Sequence, residues 1–218
     1  MFNQYARVLA SIPRWAVVPV IRRQHVAEHS YYVSLYTAEL LGLSIFDHWH
    51  EERKFATLKY ALIHDVEESR MSDIPGPVKR MIKDPAKLEA TEAKVRGGMG
   101  YCDRYGFGWS IDPEAKKVIK AADLTDEFFY LHMEASLGSR IVARLIEQVE
   151  FRLKAALDAL PGITPGAAHD LFILVSEEAA SLDAGIETLS NNDDVNQAPG
   201  GLCDDPNCRG CSKCDIPF

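Results

Sequence analysis

Apolar side chains recur at helical spacing along most of the chain, and that periodicity decides the fold class. Across residues 27–43, "AEHSYYVSLYTAELLGL", Val33, Tyr36, Leu40 and Leu43 trace one helix face. Residues 50–68 repeat the pattern through Phe55, Leu58, Leu62 and Val66. "SDIPGPVK" then breaks the helix with two prolines and a glycine. Asp112-Pro113-Glu114 opens another helix, with proline in the first turn, striped by Val118, Ala122, Leu124 and Phe128. Further helices are expected over 2–10, 85–104 (weakened by Gly97, Gly98 and Gly100), 137–160 and 166–190. Hairpin signals and internal repeats are absent from the sequence. The chain therefore reads as an all-α bundle over residues 1–190. From Asn191 the composition turns polar and Gly/Pro-containing, giving a linker and short Cys-rich tail over 191–218.

The 218 residues carry a formal net charge of −8. A chain this acidic has no global positive field to hold a nucleic-acid polymer, so an anionic substrate must meet a metal or a local cluster of cations. No apolar run is long enough to span a bilayer, and the N-terminus lacks a signal-peptide pattern; a cytoplasmic location without membrane contact is expected. Of five cysteines, Cys102 reads as a buried small side chain. Cys203, Cys208, Cys211 and Cys214 crowd the tail. Their spacing matches no zinc ribbon, and three readings stay open: a structural zinc site, an iron–sulfur cluster, or free thiols on a disordered tail.

Chemistry concentrates on four residues. His64 and Asp65 are adjacent, His29 starts a separate apolar helix, and Asp123 lies amid the apolar side of a later one. Two imidazoles and two carboxylates suit a divalent ion with positions left open for water. Glu68, three residues beyond Asp65, is expected on the same side of one helix.

The ordered set resembles the HD-domain metal phosphohydrolases, and within them the YfbR-like 5′-deoxynucleotidases and the related phage dATP triphosphohydrolases of DatZ type. The likeness runs from about residue 5 to 130, through "RW" at 14–15, Arg22, "VAEHS" at 26–30, "HDVEES" at 64–69, "DIPGPVK" at 73–79 and "AAD" at 121–123. It implies an HD-domain helical bundle in which His29, His64, Asp65 and Asp123 hold one divalent ion: Co, Mn, Zn, Mg or Fe. It implies Glu68 as general acid/base and Asp73 as a residue that fixes the sugar or orients Glu68. Arg14 would grip phosphate, Trp15 would crowd out a 2′-hydroxyl, and Lys79 would touch further phosphates. The substrate would be a deoxynucleotide and the assembly a homodimer or larger homo-oligomer. The favoured activity is release of phosphate from deoxynucleoside 5′-monophosphates; the alternative is release of whole triphosphate from a dNTP. Candidates for the extra positive charge a triphosphate needs are Arg22, Arg23, Lys79, Arg80 and Lys83. Val17, Val18 and Pro19 are candidates for a base pocket.

Two rivals stay in view. "HVAEH" fits the H-x-x-E-H pattern of inverzincin peptidases, with His25 and His29 on zinc and Glu28 as base. Against it, the helix is expected to begin near Val26, leaving His25 outside, and His64, Asp65 and Asp123 would stand idle. The other rival is a non-catalytic nucleotide-binding module. Ser30 is expected to bond locally.

Overall fold

The computed structural model describes residues 4–99 and 111–191, with backbone alone at 77, 80 and 183–191. Cys102, the four tail cysteines, the linker beyond Asn191 and the Arg80 side chain lie outside the described residues. The chain divides into two compact units, Met1–Asp183 and Ala184–Phe218.

The helices are α1 (Gln4–Leu9), α2 (Val26–Leu41), α3 (Glu51–Ile63), α4 (Glu68–Met71), α5 (Gly76–Met81), α6 (Pro85–Gly98), α7 (Pro113–Ser136), α8 (Ala143–Asp158) and α9 (Pro165–Asn191). Among the described residues there is no named strand; one isolated bridge joins Pro13 to His25. No described helix is long and apolar enough to cross a membrane.

Local chemistry sets the boundaries. Asp112 caps α7 by accepting from the Glu114 and Ala115 amides at 3.0 Å, and Pro113 follows at N1, where no amide proton is needed. Asp84 and Pro85 start α6 in the same way, through the Lys87 amide at 3.2 Å. The stretch expected as one helix over 137–160 begins only at Ala143, because Gly138 takes φ +98° and turns the chain after α7.

α7 lies at the centre, packed on both α2 and α8. Its Val118, Ala121, Ala122, Leu124, Phe128 and Leu131 meet Val33 and Leu40 of α2 and Val149, Leu153 and Leu157 of α8 in one core. Full burial of each Leu or Phe here is worth about 1.5–3 kcal/mol.

Two expectations need correction. The α3 stripe is misplaced: Phe55 is 62% and Leu62 53% exposed, whereas Thr57, Ala61 and Ile63 face inward. Small residues occupy that seam because α3 packs closely on α2. The helix expected over 50–68 also stops at Ile63. Residues 64–67 form a run of tight turns before α4, with Val66 N–H on Ile63 O and Glu68 N–H on Asp65 O, both at 3.0 Å. Ile63 and Val66, buried against Tyr5 and Met99, pin that turn at both sides.

Candidate active site

The interrupted helix is what gathers the site. On a continuous helix His64 and Asp65 would point about 100° apart. In the turn, His64 Nε2 comes within 3.0 Å of Asp65 Oδ2, while His64 Nδ1 donates to Ala61 O at 2.7 Å. The first turn of α2 delivers His29, fully buried, from the opposite side. Its Nε2 lies 3.5 Å from Asp65 Oδ2 and 3.4 Å from Asp123 Oδ1. Ligand atoms of His29, His64 and Asp123 all fall within 4.8 Å of one another.

The donor set fits a divalent cation. His29 Nδ1 lies 2.5 Å from Asp126 Oδ2, an acceptor, so Nδ1 carries a proton and Nε2 is the nitrogen left to meet an ion. That Nε2 is buried without a hydrogen-bond partner among the described residues. Nε2 and the two carboxylates that face it require positive charge between them, and a bound divalent ion would supply it. Two imidazoles and two carboxylates are the ligand types a borderline divalent ion takes.

The electrostatics point the same way. Burial opposes charge on Asp65, yet His64 and His29 hold it well below the ordinary carboxylate range. Burial also opposes charge on Asp123, and Lys120, His29, Arg14 and His64 outweigh it and lower the carboxyl. His64 is pushed up to about 9: burial opposes its charge, and Asp65 and Asp123 prevail. Glu68 behaves oppositely. Burial, then the like charges of Asp65 and Asp73, push it up to about 9 against Lys79 and Arg14. Asp73 is raised, first by burial. Two anionic carboxylates and one proton-holding carboxyl thus share one centre.

A cavity of ≈ 230 Å³ opens onto this centre. Arg14, Trp15, His64, Asp65, Glu68, Asp73, Lys79 and Asp123 all line it, with Val17 and Val18 beside Ile74, Pro75, Leu145 and Val149 as apolar wall. Glu68 Oε1 lies 3.8 Å from Lys79 Nζ. A second cavity, of ≈ 390 Å³, meets the first at His64, Asp65, Lys79, Lys120 and Asp123, and continues past Tyr60, Arg96 and Lys116.

Other candidates fall elsewhere. Arg22 does not line either cavity: its guanidinium is tied to Glu28 at 2.5 Å, and its backbone is held on α7. Arg23, Lys83 and Pro19 are likewise absent from both linings. His25 is the extended N-cap residue of α2, outside the helix that carries His29 and outside the described group of metal-ligating side chains, and Glu28 is committed to Arg22; the peptidase triad does not form among the described residues. Ser30 Oγ donates to Val26 O at 2.9 Å. Glu68 leaves from the start of α4 rather than from the helix of His64, so shared helix spacing does not bring it to Asp65.

Sequence reasoning missed Gln24, Asp126, Lys120 and Arg152. Asp126 and Lys120 each stand three residues from Asp123, a spacing that marks a shared face of α7. Lys120 Nζ lies 2.6 Å from Asp123 Oδ2. Arg152 reaches the cavity from α8 and pairs with Glu127 at 3.2 Å. Gln24 had no local signal at all.

Comparison with known proteins gives a consistent set of likenesses. A family model described as 5′-deoxynucleotidase YfbR-like matches residues 1–96. A dATP triphosphohydrolase from Cyanophage S-2L is 28% identical over 166 residues, 68% of this chain and 82% of that protein. A solved structure, the Cyanophage S-2L HD phosphohydrolase (DatZ) bound to dA and one catalytic Zn2+ ion, overlays with a TM-score of 0.63 at 19% identity. It covers 83% of this chain and 98% of its own.

Proposed function

We propose that the chain is an HD-domain phosphohydrolase of YfbR-like and DatZ type, a metal-dependent group acting on deoxynucleotides, and that it hydrolyses deoxynucleoside triphosphates to deoxynucleoside and triphosphate. The observation that carries the triphosphate reading is the meeting of two cavities at one centre. Lys79 and Lys120 line both, and Lys116 lies further along the second. Lys79 and Lys116 hold their acidic partners only at 3.8–4.0 Å, so their charge remains available to an anion. A nucleoside in the first cavity would leave its outer phosphates room in the second, where Lys79 and Lys116 would meet them beside Glu67, Glu89 and Glu92 and a bound divalent ion would supply further positive charge.

In this reading His29, His64, Asp65 and Asp123 hold a single divalent ion. When bound, such an ion acidifies water and neutralises phosphoryl oxygens. Water oxygen bonds to the α-phosphorus and the bond from that phosphorus to O5′ breaks. Glu68, which holds a proton at neutral pH, supplies one to O5′ and recovers one from the attacking water. Asp73 lines the same cavity, and its like charge acts on Glu68. Arg14 offers a planar fork to phosphate oxygens. Trp15, stacked on Tyr130 at a ring distance of 5.2 Å, closes the sugar side against a 2′-hydroxyl.

The family model's own description favours a second reading, monophosphate hydrolysis, in which the same bond to O5′ breaks. Incubation of the zinc-, manganese- or cobalt-loaded protein with each dNTP and dNMP separates the two by anion-exchange analysis. Triphosphate from dNTPs supports the first reading, and orthophosphate from dNMPs alone supports the second. Turnover of neither sinks both.

A further inference from the structure

Asp126 is buried on α7, one turn beyond Asp123, and donors converge on it from three residues. Besides His29 Nδ1, Gln24 Nε2 lies 3.0 Å from Oδ2 and 3.3 Å from Oδ1, and Arg14 Nη1 lies 3.4 Å from Oδ2. A carboxylate only accepts. His29 must therefore carry a proton on Nδ1, which leaves Nε2 as the nitrogen facing Asp65 and Asp123 and able to take an ion. Gln24, 1% exposed, must turn its NH2 toward Asp126 for the same reason. Its Oε1 is thereby left facing Trp15 Nε1 at 3.3 Å and Arg14 Nη1 at 3.4 Å. Both donors belong to the segment lining the first cavity, where Trp15 holds φ +61°, a left-handed conformation that a bulky residue keeps only when its surroundings enforce it. The polarity of one carboxylate fixes the orientation of two branches at once.

We propose that Asp126 and Gln24 are positioning residues that orient both the ion-facing imidazole of His29 and the Arg14–Trp15 grip through one shared hydrogen-bond polarity. The imidazole branch rests on the metal centre proposed above; the Arg14–Trp15 branch stands on side-chain geometry alone. A carboxylate behind a metal-binding histidine commonly sets its tautomer. Here the same carboxylate also orders the substrate wall, so ion and wall are placed relative to each other by a single group.

The test transposes the amide and the carboxylate. Asp126→Asn sets an NH2 against a donor on one branch or the other. Gln24→Met removes the second branch alone. The double variant Gln24→Glu/Asp126→Asn restores an acceptor opposite every donor without changing net charge. On the full-length protein, affinity for zinc alone is read by competition with a chromogenic chelator, and the order of residues 14–22 by amide hydrogen exchange. Asp126→Asn should lose about 10–100-fold in zinc affinity and speed exchange across 14–22. Gln24→Met should speed exchange and leave zinc affinity near wild type. The double variant should recover both readouts relative to Asp126→Asn. Unchanged exchange in Asp126→Asn, or a double variant no better than it, overturns the proposal. Should Asp126→Asn fail to fold, Gln24→Glu alone, which opposes two carboxylates, takes its place against the double variant under the same criteria. A wild type that binds zinc and obeys this pattern yet hydrolyses no nucleotide sinks the proposed function and leaves this inference standing.

Discussion

Glu134 offers a perturbation whose size follows from the structure. It is fully buried on α7, and its two oxygens accept from the backbone amides of Ile21 at 2.6 Å and Arg22 at 2.7 Å. Glu134→Gln keeps the shape and turns one oxygen into an NH2. One amide then faces a donor and loses its partner, at a cost of about 1–3 kcal/mol. The surviving bond falls from charge-assisted to neutral, which adds about 1 kcal/mol and brings the total to about 2–4 kcal/mol. In a chain of this size each kcal/mol moves Tm by about 2–4 °C, so a fall of about 4–16 °C is expected. Tyr130 still donates to Arg22 O at 2.5 Å, so the segment loosens without detaching. Circular-dichroism melting reads the first effect, and faster amide exchange at Ile21 and Arg22 reads the second. Zinc affinity should hold near wild type, because Glu134 lies about 12 Å along the helix from Asp126. An unchanged Tm with unchanged exchange would refute the reasoning that this carboxylate secures the segment.

Zinc at 100 times its dissociation constant should stabilise the protein by about 2.7 kcal/mol, and Asp65→Ala should abolish that thermal shift; a retained shift places the ion elsewhere. Glu68→Ala should keep zinc binding and lose about 10²–10⁴ in turnover, and loss of zinc instead would make Glu68 a ligand. In chelator-treated protein the Glu68 carboxyl, raised from 4.5 to about 9, holds a proton that the unfolded chain lacks between those pH values. Its contribution to stability therefore falls as pH rises through that window, and the Tm advantage of Glu68→Gln should grow from about pH 4.5 to about 9. A flat difference across the window would contradict the raised carboxyl. Trp15→Ala should let ribonucleotides compete with deoxynucleotides, measured as the ratio of kcat/KM, and an unchanged ratio removes Trp15 from sugar selection.

Much of the bundle was legible because its signals are local. Asp112-Pro113 announces α7 by capping chemistry, and the stripe Val118, Ala122, Leu124 and Phe128 is buried as its spacing demands. The α3 stripe misled because large apolar residues were assumed to point inward, whereas this seam selects small ones, Thr57 and Ala61. His29, His64, Asp65 and Asp123 stand out in the sequence as metal-ligand types on an apolar framework, but nothing in their spacing encodes a meeting of α2, a turn and α7, and the resemblance supplied that. The turn itself was hidden: "IHDVEES" has good helix formers throughout, and only tertiary anchoring of Ile63 and Val66 shows why the helix yields there. Gln24 was invisible for the same reason, since its partners are Trp15, Arg14 and a residue more than a hundred positions away.

Asp123, Asp126, Tyr130 and Glu134 follow one another along a single side of α7 at intervals of three and four. The first faces the proposed ion, the second touches His29, and the last two grasp the segment that carries Arg14 and Trp15. One rigid rod therefore acts as a ruler about 16 Å long, and its graduations set how far the proposed ion centre stands from the segment that carries Arg14 and Trp15. A residue inserted between Asp123 and Glu134 would swing everything downstream by about 100° and uncouple the two ends, while the helix itself stayed helical. The number of residues in this stretch, as much as their identity, therefore sets the register between its two ends.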